Sequence, residues 1–351
     1  MSVDGAWADA DAIHSGSRKP HSGSDLRVRA DRLARVPWRA VGVFVVIAVV
    51  LAWLVASRIW LMGGTASPEL GLWMQLLGVP MMFTPAVATL VVVFAMKVPT
   101  GERLRFLGMW PLRPAKRVVW FMVAAVFAPP VIVAIVVFVS AALGFASLDL
   151  VNFSGFAAML EAQLAGIDPQ VMDTLPPIHL LVTIQLLSIP VGALLNSVFA
   201  FGEEVGWRGW LLPALLPLGT WPALLISGVI WGLWHSPLIL LGYNFGYTDW
   251  RGVALMTGGC VAWGVLFGWA RLRSGSVWPA VIGHGALNAA AGLGLLLVAA
   301  GADPRMWLVG PLGIVAWVVI AVVVVVLVLT GQFRQQPELA PKRVRPELRE
   351  H

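Results

Sequence analysis

Hydrophobic residues along this chain gather into eight runs of about twenty positions, at roughly 40–60, 73–96, 118–143, 179–201, 221–241, 253–270, 277–299 and 307–330. An α-helix rises 1.5 Å per residue, so about twenty apolar residues cross the roughly 30 Å hydrocarbon core of a bilayer. Each run predicts one transmembrane helix, and the expected fold class is an all-α polytopic bundle of about eight spans. Pro80, Pro85, Pro129, Pro130 and Pro190 interrupt the runs and predict kinks. Residues 1–39 lack apolar periodicity and read as a disordered basic tail, and 331–351 as a short charged one. The first run starts near Ala40 and is too long for the apolar part of a cleavable signal, so it is read as the first span. Composition agrees: 59% of residues are hydrophobic and 12% charged, against about 45–50% and 25% in soluble domains. A soluble fold is excluded.

Charge then sets an expected orientation, because loops rich in Lys and Arg stay on the cytoplasmic side. Residues 1–39 hold seven of these, 97–117 six, and the segment after 330 five, whereas 61–72 and 144–178 hold none. Residues 242–252 hold only Arg251, 300–306 only Arg305, and the short 271–276 turn adds Arg271 and Arg273. This alternation places both termini in the cytoplasm, with the bundle in the cell membrane and lipid as its partner. It also accounts for the net charge of +6 without nucleic acid. Segment 144–178 carries Asp149, Glu161, Asp168 and Asp173, and Ser154 is placed to cap a short surface helix through Leu164. Many of the eighteen Trp residues sit near span ends, as do Trp60, Trp73, Trp221, Trp250 and Trp278, where anchoring at headgroup level explains them. The single cysteine, Cys260, excludes an intramolecular disulfide and a CxxC site and reads as a packing residue.

Ionisable groups inside a bilayer cost roughly 3 kcal/mol or more unless they face the bundle interior or a wet cavity, so each is a site candidate. The candidates fall in the second half of the chain: Glu203, Glu204 and Arg208 at the end of the fourth run, His235 in the fifth, and His284 with Asn288 in the seventh. Glu204 and Arg208 are four residues apart and share one helix face, while Glu203 points about 100° away. That spacing predicts an Arg208–Glu204 pair and a Glu203 free to face a cavity as a general base. His284 and Asn288, also four apart, share a face of the seventh span. Two chemistries fit this set. In one, Glu204, His235 and His284 hold a divalent metal, zinc first among them, with a position open for water. In the other, Glu203 with His235 deprotonates water directly, and His284 with Asn288 stabilises the oxyanion. Both hydrolyse an amide. No HExxH helix, GxSG-type nucleophile or GxGD motif occurs in a span. The rival of another class is a non-catalytic scaffold or a small proton-coupled transporter using Glu203 and His235.

Three blocks, EExxxR at Glu203–Arg208, an aromatic-xxx-His at Trp231–His235 and HxxxN at His284–Asn288, resemble those of the CPBP family of intramembrane proteases, also called Abi or CAAX-protease-like. The run SGSVWPAVIGHGALNA is similar to that family's third block almost throughout. The resemblance covers a core of roughly 180–295. It implies an intramembrane endopeptidase acting on a peptide or protein substrate, with Glu203, Glu204, His235, His284 and Asn288 as catalytic centre and Arg208 supporting the glutamates. Eukaryotic members remove the last three residues of prenylated CaaX proteins; bacterial members are associated with bacteriocin maturation and self-immunity. Trp231 stands where Phe is frequent, a swap expected to keep an aromatic wall and leave the proton chemistry untouched. One geometric tension follows: a straight fifth span puts His235 about 20 Å from its cytoplasmic end, deeper than Glu203. A tilt, or an extension of the fourth helix, must close the difference.

Overall fold

The computed structural model describes residues 33–165 and 175–333. Expectations for residues 1–32 and 334–351, and for Asp168 and Asp173, fall outside that range. The described residues form α1 (Trp38–Leu61), α2 (Leu70–Met82), α3 (Thr84–Leu90), α4 (Arg103–Phe106), α5 (Ala115–Ala142), α6 (Ser154–Leu164), α7 (Ile178–Glu204), α8 (Leu212–Leu215), α9 (Thr220–Trp234), α10 (Ser236–Ile239), α11 (Trp250–Ser274), α12 (Trp278–Ala290), α13 (Leu293–Leu297), α14 (Met306–Val309) and α15 (Ile314–Leu329). Among the described residues β-structure is limited to one isolated bridge, between Leu148 and Val298. Seven helical stretches are long and apolar enough to cross a membrane: Trp38–Leu61, Leu70–Ala95, Ala115–Ala142, Ile178–Leu218, Trp250–Ser274, Trp278–Leu297 and Met306–Leu329. The protein is a polytopic helical membrane bundle.

Two of the eight expected spans take a different form. The fifth run, expected at 221–241, becomes the 15-residue α9, which stops at Trp234 and is followed by the separate turn α10. Pro237 explains the break: it has no N–H with which to continue the helical ladder to the Leu233 carbonyl, which accepts from Ser236 Oγ instead. The fourth run, expected to end at 201, continues through a π-helical turn at Val205–Leu211 and α8 to Leu218, 41 residues in all. Glu203, Glu204 and Arg208 lower the hydropathy and so imitate an exit from the bilayer, yet all three are buried in the bundle. Of the expected proline kinks, Pro80 and Pro85 flank a break at Phe83 between α2 and α3, while helix is continuous through Pro129, Pro130 and Pro190.

Packing follows the membrane rule that small residues let helices approach. On α1, Phe44, Ala48, Ala52 and Ala56 recur every four residues and are fully buried, and the Ala48 carbonyl accepts from Thr84 Oγ1 at 3.2 Å. Phe44 stacks on Trp210 at 5.1 Å and meets Trp207 edge-on at 5.5 Å, which ties α1 to the π turn. Gly285 lies against α7 so closely that a Cβ there would be 2.4 Å from the Ala193 carbonyl oxygen. By contrast α15 fully buries only Val315, Ala316 and Ile320 and packs Val319, Val323 and Leu327 partly on the core, while Val318, Val322, Val325 and Leu329 are exposed on its outer side.

The segment after α5 forms the expected short helix α6, but its start is held differently. Phe153, not Ser154, precedes the first turn, and Asp149 supplies the acceptor, taking hydrogen bonds from the backbone N–H groups of Val151, Asn152 and Ser154 at 3.1, 2.8 and 3.3 Å.

Candidate functional site

The extension of α7 resolves the depth mismatch. Glu203 lies fifteen residues before Leu218, and His235 fifteen after Thr220, on opposite arms of a hairpin that turns at Gly219. At 1.5 Å per residue both sit about 22 Å from that turn. A π turn, whose wider ring is common at functional sites, begins immediately after Glu204.

The two adjacent carboxylates face different surroundings. Glu204 is fully buried, and its Oε1 accepts from Arg208 Nη1 at 2.8 Å and from His284 Nδ1 at 2.9 Å. The predicted Arg208–Glu204 pair is therefore present, and it extends to His284. The Arg208 guanidinium also lies over the Trp231 ring, 4.2 Å from its centroid. Phe267 stacks on the His284 imidazole at 5.8 Å and 17°, so His284 is held by a carboxylate on one side and a ring on another.

Glu203 turns toward α9. Its Oε2 accepts from Trp231 Nε1 at 2.6 Å and, more weakly, from Trp207 Nε1 at 3.4 Å. The expectation that Trp231 furnishes only an aromatic wall does not hold. Its indole N–H bonds the carboxylate directly, which a Phe cannot do. Buried tryptophans serve likewise elsewhere: Trp210 donates to the Val98 carbonyl, Trp234 to Thr84 Oγ1 and Trp263 to the Pro311 carbonyl. Interfacial anchoring alone thus does not account for the tryptophans.

His235 Nδ1 lies 2.9 Å from the Trp231 carbonyl oxygen. A carbonyl only accepts, so Nδ1 carries the proton and Nε2 of the neutral ring keeps its lone pair. Cys260 Sγ packs 3.8 Å from the same ring atom, and the cysteine is buried as expected.

Glu203, Trp231, His235, His284 and Asn288 all line one cavity of about 430 Å³. Met74, Gln75, Gly78 and Met82 of α2, with Asn196 and Phe199 of α7, form its other walls, and Tyr243 and Asn244 lie toward the end of the bundle away from the 103–117 loop. The opposite end is closed. Arg271, expected to lie in a short turn, is instead buried at the end of α11, donating to the Arg208 carbonyl at 3.1 Å and to the Phe106 carbonyl at 2.9 Å. Gly108 lies beneath that guanidinium at φ +69°, where a Cβ would stand 2.5 Å from Cζ. Ser276 Oγ and Trp278 Nε1 also bond the loop, at the carbonyls of Gly108 and Met109.

Among the described residues no three His, Cys, Asp or Glu side chains stand together as a group able to hold a metal ion. Glu204 Oε1 bonds His284 Nδ1, and the Trp231 carbonyl bonds His235 Nδ1; each bond leaves the ring's Nε2 open and so is compatible with either of the two chemistries read from the sequence. Water activation by protein groups needs no such convergence, only a base and hydrogen-bond donors around one cavity.

Sequence reasoning missed Arg271, Asn196 and Phe267. Arg271 was counted as a topogenic charge, Phe267 carries no polar signal, and Asn196 stood out only as an amide in an apolar run, seven residues before Glu203.

Comparison with known proteins points the same way. Residues 184–290, which contain all three sequence blocks, match the family described as Type II CAAX prenyl endopeptidase Rce1-like. A protein named CAAX prenyl protease 2, from Methanococcus maripaludis, is 30% identical over 107 residues, covering 28% of this chain and 39% of that protein. The chain thus spans about two fifths of the length of the curated relative it matches. The match falls on α7 to α12, which with α2 build the cavity, and it contains the three blocks that resemble the CPBP family.

Proposed function

We propose that this protein is an intramembrane endopeptidase of the CAAX-protease type that cleaves a membrane-associated peptide or protein by direct activation of water. One observation carries the reading: Glu203, His235, His284 and Asn288, from three helices of an apolar bundle, line a single cavity. The match over 184–290 supports a CAAX-type endopeptidase.

Water in the cavity donates one proton to Glu203, with the His235 Nε2 lone pair accepting its second hydrogen bond and orienting the oxygen. The hydroxide oxygen attacks the substrate carbonyl, and the resulting oxyanion is stabilised by hydrogen bonds from His284 and the Asn288 carboxamide. Glu203 then returns its proton to the leaving nitrogen as the C–N bond breaks. The products are one carboxylic acid and one amine, and the enzyme is restored. Trp231 holds the Glu203 carboxylate in place, and Glu204 with Arg208 fixes the His284 ring. The basic 97–117 loop, on the closed side of the cavity, faces the cytoplasm under this proposal.

A farnesylated peptide ending in Cys-aliphatic-aliphatic-X, incubated with the purified protein in lipid nanodiscs and followed by mass spectrometry, tests the reading. Release of the C-terminal tripeptide, undiminished by a metal chelator, is expected. An intact peptide would count against the substrate class, and loss of cleavage on chelation against the metal-free mechanism.

A further inference from the structure

The polar groups of α7 do not stop at Glu203. Gln185, Ser188, Asn196 and Glu203 fall, at 100° per residue, within a sector of about 80° down one face of the helix. Gly192 and Phe199 lie on the same line and complete it. This face borders two cavities. The first holds Glu203. The second, of about 400 Å³, has Gln185, Ser188 and Asn196 of α7 and Asn288 of α12 along one side, and an otherwise apolar lining that includes Ile189, Leu293 and Leu296 as well as Phe156 and Met159 of α6. Asn196 and Asn288 belong to both, so the cavities adjoin as one trench whose junction is a pair of carboxamides.

The chemistry of the line selects its occupant. Gln185, Ser188 and Asn288 are exposed; the Ser188 hydroxyl donates to the Gln185 carbonyl at 2.8 Å and the Asn196 amide to the Gly192 carbonyl at 2.9 Å, whereas among the described residues no such bond engages the side-chain amides of Gln185 and Asn288. An amide turned to hydrocarbon loses its hydration without compensation, so an acyl chain alone would leave Gln185 and Asn288 unsatisfied. Alternating donors and acceptors along an extended peptide backbone satisfy amides and hydroxyls set at intervals, as in other extended-peptide sites. From Gln185 to Glu203 the helix rises about 27 Å, the span of about eight extended residues. Three residues on the leaving side of a CaaX bond are too few to fill it.

We propose that this trench is a subsite for the substrate segment upstream of the scissile bond, held extended, with Asn196 a positioning residue that bonds its backbone. The proposal rests on the protease reading. Two arms test it. In membranes, Gln185→Cys, Ser188→Cys and Asn196→Cys variants are treated with a charged, membrane-impermeant methanethiosulfonate, with the wild-type protein and its buried Cys260 as blank. Modification is expected at these three positions and not at Leu187→Cys or Leu194→Cys on the opposite, lipid-facing side; no modification at the three, or equal modification at all five, overturns the trench. Farnesylated CaaX peptides with four or twelve residues before the cysteine are then compared. The longer is expected to show a kcat/KM at least tenfold higher in wild type, and the Gln185→Leu/Ser188→Val variant to bring the ratio close to one. A ratio near one in wild type, or unchanged in the variant, overturns the subsite. Cleavage of neither peptide would remove the protease reading instead, and the labelling result then decides whether a wet trench exists.

Discussion

Glu203 and Glu204 are chain neighbours with opposite surroundings. On the Glu204 side one carboxylate oxygen gathers the charges, Oε1 meeting guanidinium and imidazole within 2.9 Å while Oε2 stays buried without a hydrogen bond among the described residues, and Arg271 seals the same end by bonding two backbone carbonyls. On the Glu203 side two indole N–H groups hold one carboxylate oxygen, and the rest of the polar line opens to a cavity. A helix that advances 100° per residue makes this division without any loop. Under the proposed function, one dipeptide on a transmembrane helix supplies both the structural and the reactive carboxylate, because a single residue step rotates one into packing and the other toward the cavity.

Three substitutions probe that difference, in falling order of effect. Arg208→Ala leaves the Glu204 carboxylate buried with its cationic partner removed, and breaking such a pair costs about 3 kcal/mol or more; thermal unfolding in nanodiscs is expected at a clearly lower temperature, with activity lost through the His284 ring. Asn288→Ala sits on the open side, where no side-chain hydrogen bond ties Asn288 to the described residues. It is expected to leave the unfolding temperature unchanged and lower kcat by about a hundredfold, the scale of a lost oxyanion donor. Trp231→Phe keeps the ring over Arg208 and deletes the N–H to Glu203, so kcat is expected to fall about tenfold with KM little changed. A fall in KM and kcat together, or a lost fold, would assign Trp231 to packing alone.

The smallest effect lies outside the bundle. Asp149 has its carboxyl drawn down to about 2 by hydrogen bonds, that with Ser154's side chain foremost and then the Asn152 backbone N–H. A depressed carboxyl stabilises the loop above its unfolded value near 3.9 and ceases to do so as pH falls through its folded one. Hydrogen-exchange protection of the Val151, Asn152 and Ser154 amides is expected to hold from neutral pH down to about 4 and to fade between about 4 and 2, and Asp149→Asn is expected to remove that dependence.

Much of this was legible in the sequence, for physical reasons. Apolar runs report lipid contact directly, so seven of the membrane helices were visible, and the i, i+4 spacing of Glu204 and Arg208 foretold their pair. What hydropathy averages away is burial of charge: Glu203, Glu204 and Arg208 read as a helix end because no local pattern separates a charge leaving the bilayer from one enclosed by Trp207, Trp210 and Trp231. Arg271 misled in the same way, its partners Phe106 and Arg208 lying far off in sequence. The break at Ser236–Pro237 was written in the chain, but the long apolar run around it outweighed the proline. The Trp231–Glu203 bond joins residues 28 apart and required the hairpin to be known first.

The central claim is that Glu203, facing the cavity, is the base that activates water. The direct measurement is the rate at which a Glu203→Gln variant in nanodiscs releases the tripeptide from the farnesylated CaaX peptide, with its unfolding temperature recorded alongside. We expect a loss of about a thousandfold or more at an unchanged unfolding temperature; cleavage within about tenfold of wild type by a folded variant would contradict the account.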